Sequence, residues 1–205
     1  MLGLELLGDK ESVVIPFEYK HNFLVLKLRL ANLPLKFIFD TGAEHIILLK
    51  KEITDILGFE YEEPILIAGA DLQRTMFAYI TRGVPVRLEN SISAKRDLIV
   101  LEEDFLHLDE ITGESIDGIL GARFFRGLYV EIDYKKKRII LNRNLPNKAL
   151  KSDYIKLEST FINHKPYINC TIYNDGQDIG TDILVDTGAG IPFLLFLSEE
   201  SKISL

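Results

Sequence analysis

The chain has 205 residues, 47 % of them hydrophobic and 27 % charged, with a formal net charge of −7. That balance is globular rather than disordered, and its acidity argues against a phosphate backbone as a general partner. No run approaches the ~18 apolar residues of a membrane-spanning helix, and the single cysteine, Cys170, excludes an intramolecular disulfide.

The first ten residues lack a positively charged start and break their apolar run at Glu5, so they do not read as a signal peptide. Two compartments stay open: the cytoplasm, or an exported or periplasmic location if a leader has been trimmed. Residues 1–12 are read as an N-terminal extension. Beyond them the dominant pattern has period two. Residues 23–30 end in strict alternation, as a half-buried strand does, and after Pro34 a second strand, residues 35–39, runs straight into Asp40. Residues 46–57 have apolar side chains at helical spacing and stop at Gly58, which predicts a short helix. Residues 64–71 and 76–80 read as a hairpin, with residues 84–88 and 97–101 as further strands. Glu102-Glu103-Asp104 opens a polar, helical stretch. Residues 129–134 and 138–141 form a hairpin around Lys135-Lys136-Lys137, a basic run that reads as a solvated turn. Residues 146–153, with Pro146, read as a linker.

After the linker the pattern restarts. Phe37-Ile38-Phe39-Asp40-Thr41-Gly42-Ala43 returns as Ile183-Leu184-Val185-Asp186-Thr187-Gly188-Ala189, 146 positions later. Residues 161–168 likewise resemble residues 17–24. Such a repeat predicts two related lobes: residues 13–145, and a second lobe that begins at 154 and runs to 205. One Asp-Thr-Gly is accounted for by a strand-ending turn; two copies, each behind an apolar strand and each followed by Ala, are not. The chemistry needs these residue types. The strand delivers a carboxylate into a poorly solvated place. Thr offers a hydroxyl to the partner strand's backbone, and Gly lets the chain approach where a Cβ would clash. Two carboxylates brought side by side cannot both ionise, so the pair keeps one proton.

On these residues the chain resembles the retropepsin-like and pepsin-like aspartic peptidases, and more closely the bacterial two-lobed aspartyl protease family. The resemblance covers nearly all of the chain from about Val13. It implies an all-β, retropepsin-like acid-protease barrel with short helices, one complete lobe and a partial second. It makes Asp40 and Asp186 the catalytic carboxylates, with Thr41, Gly42, Ala43, Thr187, Gly188 and Ala189 supporting the loops. Ala68, Gly69, Ala70 and Asp71 match a flap tip. Gly118, Ile119, Leu120 and Gly121 match the segment that threads behind the catalytic loop. The second copy brings no later flap and no second threading segment. Relatives of this kind continue through a full second lobe, so the chain is expected to be a piece of a longer protein.

The implied activity is endopeptidase hydrolysis of a peptide or protein by a water activated between the two carboxylates, with no metal or organic cofactor. The dyad forms either within one chain or, as in homodimeric relatives, across two copies. The competing reading is a non-catalytic peptide-binding or scaffold module that keeps the fold. Other signals are weaker. His21, His45, His107 and His164 have no metal-ligand spacing, Cys170 reads as a buried structural thiol, and Glu44 as a surface carboxylate.

Overall fold

Alternating apolar residues and tight turns set up the first three strands. In the computed structural model, which describes residues 3–68, 75–147, 154–174 and 177–194, these are β1 (Ser12–Lys20), β2 (Phe23–Leu30) and β3 (Leu33–Asp40). His21 and Asn22 join β1 to β2 with φ of 45° and 72°. Both residues at positive φ is the turn whose twist suits a two-residue hairpin. There follow β4 (Ile46–Leu48), helix α1 (Lys51–Ile56), β5 (Ile65–Ala68), β6 (Thr75–Leu88), β7 (Ala94–Leu101), helix α2 (Leu108–Thr112) and β8 (Gly118–Gly121). A 3-10 turn at Ala122–Phe125 leads to β9 (Tyr129–Asp133) and β10 (Arg138–Asn142). The all-β expectation is met.

The sheet closes on itself. In order, β2, β3, β8, β4, β7 and β6 pair with one another, and β6 returns to β2 through Leu28↔Leu88 and Leu30↔Val86. The β3–β8 and β4–β7 pairs are parallel and the others antiparallel. Closure removes edges from this part of the sheet and encloses Leu26, Phe37, Phe39, Leu48, Val86 and Leu120. The first half of β1 leaves the barrel to pair with β10, and β9 lies outside β10.

Several segments differ from the sequence reading. Residues 46–57 are not one helix. Ile46–Leu48 is a strand wedged between β7 and β8, and only Lys51–Ile56 is helical. An unbroken apolar run suits either element, and barrel closure decides for the strand. Residues 76–80 and 84–88 belong to one 14-residue strand, broken in register between Thr81 and Val84. Gly83, at φ +64°, provides that bulge, and its amide donates to Asp97 Oδ1 at 3.0 Å. Glu102-Glu103-Asp104 is not helical; α2 starts at Leu108. The first residues are more than an appendage: Leu6 and Leu7 are fully buried in the barrel core, which is worth roughly 1.5–3 kcal/mol each.

The remaining strands, β11 (Ser159–Ile162), β12 (Lys165–Asn174) and β13 (Gln177–Leu184), form a separate antiparallel sheet. Its first turn, Asn163-His164 with φ of 50° and 65°, repeats the His21-Asn22 turn. The internal repeat therefore aligns turn to turn rather than Phe17 to Phe161, and β12 has 10 residues where β2 has 8. None of this sheet's described side chains is buried, and Phe161 and Tyr173 are 70 % and 78 % exposed. Cys170 is accordingly half-buried, not buried as its apolar neighbours suggested. Residues 148–153 of the linker and Gly69, Ala70 and Asp71 lie outside the described residues. Among the described residues no helix is long and apolar enough to cross a membrane.

Candidate active site

β3 carries Asp40 to the barrel end on three buried residues, Phe37, Ile38 and Phe39. It is walled by β2 on one side and by β8 on the other, where Asp40 stands opposite Gly121. The chain then turns tightly enough for Gly42 N and Ala43 N to donate to Asp40 Oδ1, at 2.7 and 3.0 Å. The segment Gly118-Ile119-Leu120-Gly121 runs directly behind this turn. A Cβ on Gly121 would strike the backbone of Glu44 and His45, and one on Gly118 the Phe37 ring and the Ile47 carbonyl. The 3-10 turn that follows donates from Ala122 N to Ala43 O at 2.9 Å and from Arg123 N to Glu44 O at 3.1 Å. Backbone bonds from this turn thus hold the loop from behind.

The second loop follows β13. Val185 N donates to Pro166 O at 2.9 Å, and Asp186 Oδ1 accepts from Gly188 N at 2.7 Å, as Asp40 does from Gly42. The two loops then clasp each other. Thr187 Oγ1 donates to Phe39 O at 2.9 Å, and Thr41 Oγ1 donates to Val185 O. Each hydroxyl also accepts the other threonine's amide: Thr41 N to Thr187 Oγ1 at 3.1 Å, and Thr187 N to Thr41 Oγ1 at 3.0 Å. Every bond has its counterpart, so a local two-fold axis relates the loops. The glycines are required here, because a Cβ on Gly42 would enter the Asp186 carboxylate and one on Gly188 the Asp40 carboxylate. Asp40 and Asp186 face each other within one chain. Ala43 and Ala189 complete the loops, both half-buried.

Burial and the adjacent Asp186 carboxylate push Asp40 from 3.8 up to about 7, against the pull of the Gly42 and Ala43 amides. Around this centre stand residues that the motif did not announce. Arg123 Nη1 lies 3.6 Å from Glu44 Oε1, with His45 Nε2 3.7 Å from the same oxygen. Glu44 is therefore a partner in a small charged cluster rather than a lone surface carboxylate. Burial holds the His45 imidazole below its usual value. Asn22, in the first hairpin turn, donates to Gly190 O at 3.2 Å and ties the chain beyond the second loop to the barrel. No local sequence signal marks that bond. Of the expected flap tip, Ala68 ends β5, paired with Thr75 of β6. Among the described residues no group of three or more His, Cys, Asp or Glu could hold a metal ion.

No protein-family model matches the chain, and no curated protein matches it in sequence. Among solved structures it is similar to a retropepsin-like aspartic protease from Rickettsia conorii, at 21 % identity and a TM-score of 0.41, over 64 % of this chain and 89 % of that one.

Proposed function

We propose that the chain is an aspartic-type endopeptidase whose catalytic groups are Asp40 and Asp186. The observation that carries this reading is the reciprocal threonine clasp, which sets the two carboxylates face to face across two glycines. The raised proton affinity of Asp40 suits a pair that shares one proton across mildly acidic pH, the apparent values belonging to the pair. A water between the carboxylates gives a proton to the ionised member as it attacks the peptide carbonyl. The protonated member donates to the carbonyl oxygen. Collapse of the tetrahedral intermediate breaks the C–N bond and returns a proton to the leaving amine. On the same reading residues 13–145 form the first lobe and the chain from 154 begins the second.

Cleavage of a mixed peptide library between pH 3 and 8 tests this, with the wild type beside Asp40→Asn and Asp186→Asn. The expected result is cleavage by the wild type alone, at a rate per chain that does not change on dilution, since both acids come from one chain. A wild type that cuts nothing, or an Asp40→Asn chain that still cuts, would sink the proposal. A non-catalytic peptide-capturing module is the second reading. It is favoured by β5, an end strand of the large sheet that exposes Leu66 and could accept a further strand. A statine-type transition-state mimic separates the two. A working dyad binds it far more tightly than a substrate peptide, and a capture module does not.

A further inference from the structure

The inward positions of β7 are Ala94, Arg96, Leu98 and Val100. Arg96 is 6 % exposed and is the one charged side chain among the described residues that is buried. Withdrawing a guanidinium from water costs on the order of several kcal/mol before its partners offset it, so an apolar residue would fill this position more simply. The described contacts of Arg96 lead in two directions. Outward, Nη1 donates to Glu5 Oε2 at 2.9 Å and to the Lys95 carbonyl at 2.7 Å. Glu5 belongs to the 3-10 turn Leu4–Leu6, itself fixed by Gly3 N to Arg126 O at 2.8 Å and by Ile92 N to Leu6 O at 3.0 Å. Inward, the guanidinium lies 5.4 Å from the centre of the Phe124 ring, within cation–π range. Phe124 meets Phe125 edge-on at 5.0 Å, and Phe125 meets Phe39 edge-on at 5.0 Å. Phe39 precedes Asp40 and carries the carbonyl that receives the Thr187 hydroxyl. The turn that carries Phe124 and Phe125 also donates to the carbonyls of Ala43 and Glu44. Arg96 therefore stands behind the first loop's strand and behind its exit.

We propose that Arg96 is a positioning residue for the candidate catalytic loop, bracing the Phe124–Phe125 pair against Phe39 while Glu5 holds its guanidinium in place. The predicted effect on rate rests on the aspartic-dyad reading above; the geometry does not. In the full chain, Arg96→Met, Arg96→Lys and Glu5→Gln are compared with wild type. The measurements are kcat and KM on a fluorogenic peptide, the thermal midpoint, and the 13C titration of the Asp40 carboxyl, which faces Asp186.

Arg96→Met is expected to lower kcat roughly 10- to 100-fold with KM within about threefold, as small misplacements of catalytic groups do. Its thermal midpoint should move little, because an apolar residue often replaces a buried charge without loss. Arg96→Lys should recover part of the rate, and Glu5→Gln should act in the same direction less strongly. The Asp40 carboxyl should titrate lower in Arg96→Met, since a loosened loop admits water and separates the acids. A kcat within about twofold of wild type with an unchanged Asp40 titration overturns the proposal, whatever the thermal midpoint does. If the wild type itself cuts nothing, the proposed function fails and the carboxyl titration alone decides. A lowered value in the variant then upholds the positioning role, and an unchanged value overturns it. If Arg96→Met does not fold, Arg96→Lys and Glu5→Gln decide by the same readouts.

Discussion

Asp40 leaves a strand that is walled on both sides, by β2 and by β8, and packed from below by Phe39 and Phe125. Asp186 follows β13, whose one neighbour among the described strands is β12 and none of whose described side chains is buried. The two tripeptides make the same bonds to each other, yet one rests on a barrel and the other on an open three-stranded sheet. The lesson is a division of labour. Asp-Thr-Gly itself dictates the clasp and the bond from each glycine amide to its own aspartate, which are equal in both copies. What lies behind the tripeptide dictates burial, and Asp40, with the wall, is pushed up to about 7.

The largest expected effect tests whether the two acids are equal. Asp40→Asn and Asp186→Asn should each cut turnover at least about 10³-fold, within the range for general acid–base groups; loss in only one of them would break the pairing. Next come the glycines. Gly42→Ala and Gly188→Ala each push a methyl into the opposite carboxylate, and each should cost about 10²-fold in kcat with the chain still folded. Activity measured beside circular dichroism checks this. A much milder Gly188→Ala would mean that the open sheet yields where the barrel cannot.

Smaller effects probe the foundations. Thr41→Val and Thr187→Val each strand donors and acceptors of the clasp, a loss of about 1–3 kcal/mol each. A double-mutant cycle should show coupling, because the two hydroxyls make separate bonds that hold the same pair of loops together. Hydrogen exchange should rise first in β12 and β13, with the barrel still protected. Last is the dependence on pH. The folded-state value of Asp40 lies above its unfolded value of about 3.8, so the folded chain binds this proton more tightly. The stability this contributes is fully present below pH ~4 and is lost as pH rises to ~7, on the order of a few kcal/mol. Asp40→Asn should flatten that slope in denaturant titrations at successive pH values.

The loops were legible because their residues are chemically specific: Asp40, Thr41, Gly42 and their copies each have a role that few other side chains could fill. The threonine bonds to a facing backbone follow from the same reasoning and are observed. What escaped was decided by distant packing. The sequence pattern marks a strand only over residues 97–101; β7 begins at Ala94, and Arg96 turns inward to Phe124 and Glu5. Leu6 and Leu7 look like the end of an extension until the barrel offers them a place. Ile46–Leu48 carries no local mark of a strand, and its pairing with β7 and β8 involves residues about 50 and 70 positions away. Pro85 and Gly83 suggest a break where the chain runs on through a bulge.

A two-fold axis has no sense of left and right, but a polypeptide laid across it has an amino and a carboxyl end. Two symmetric acids alone would greet such a strand equally well in either orientation. Any polarity must be imposed by what breaks the symmetry. The candidates stand on opposite sides of the axis: Glu44, His45 and Arg123 beside the first loop, and the exposed glycine Gly190, held by Asn22, beside the second.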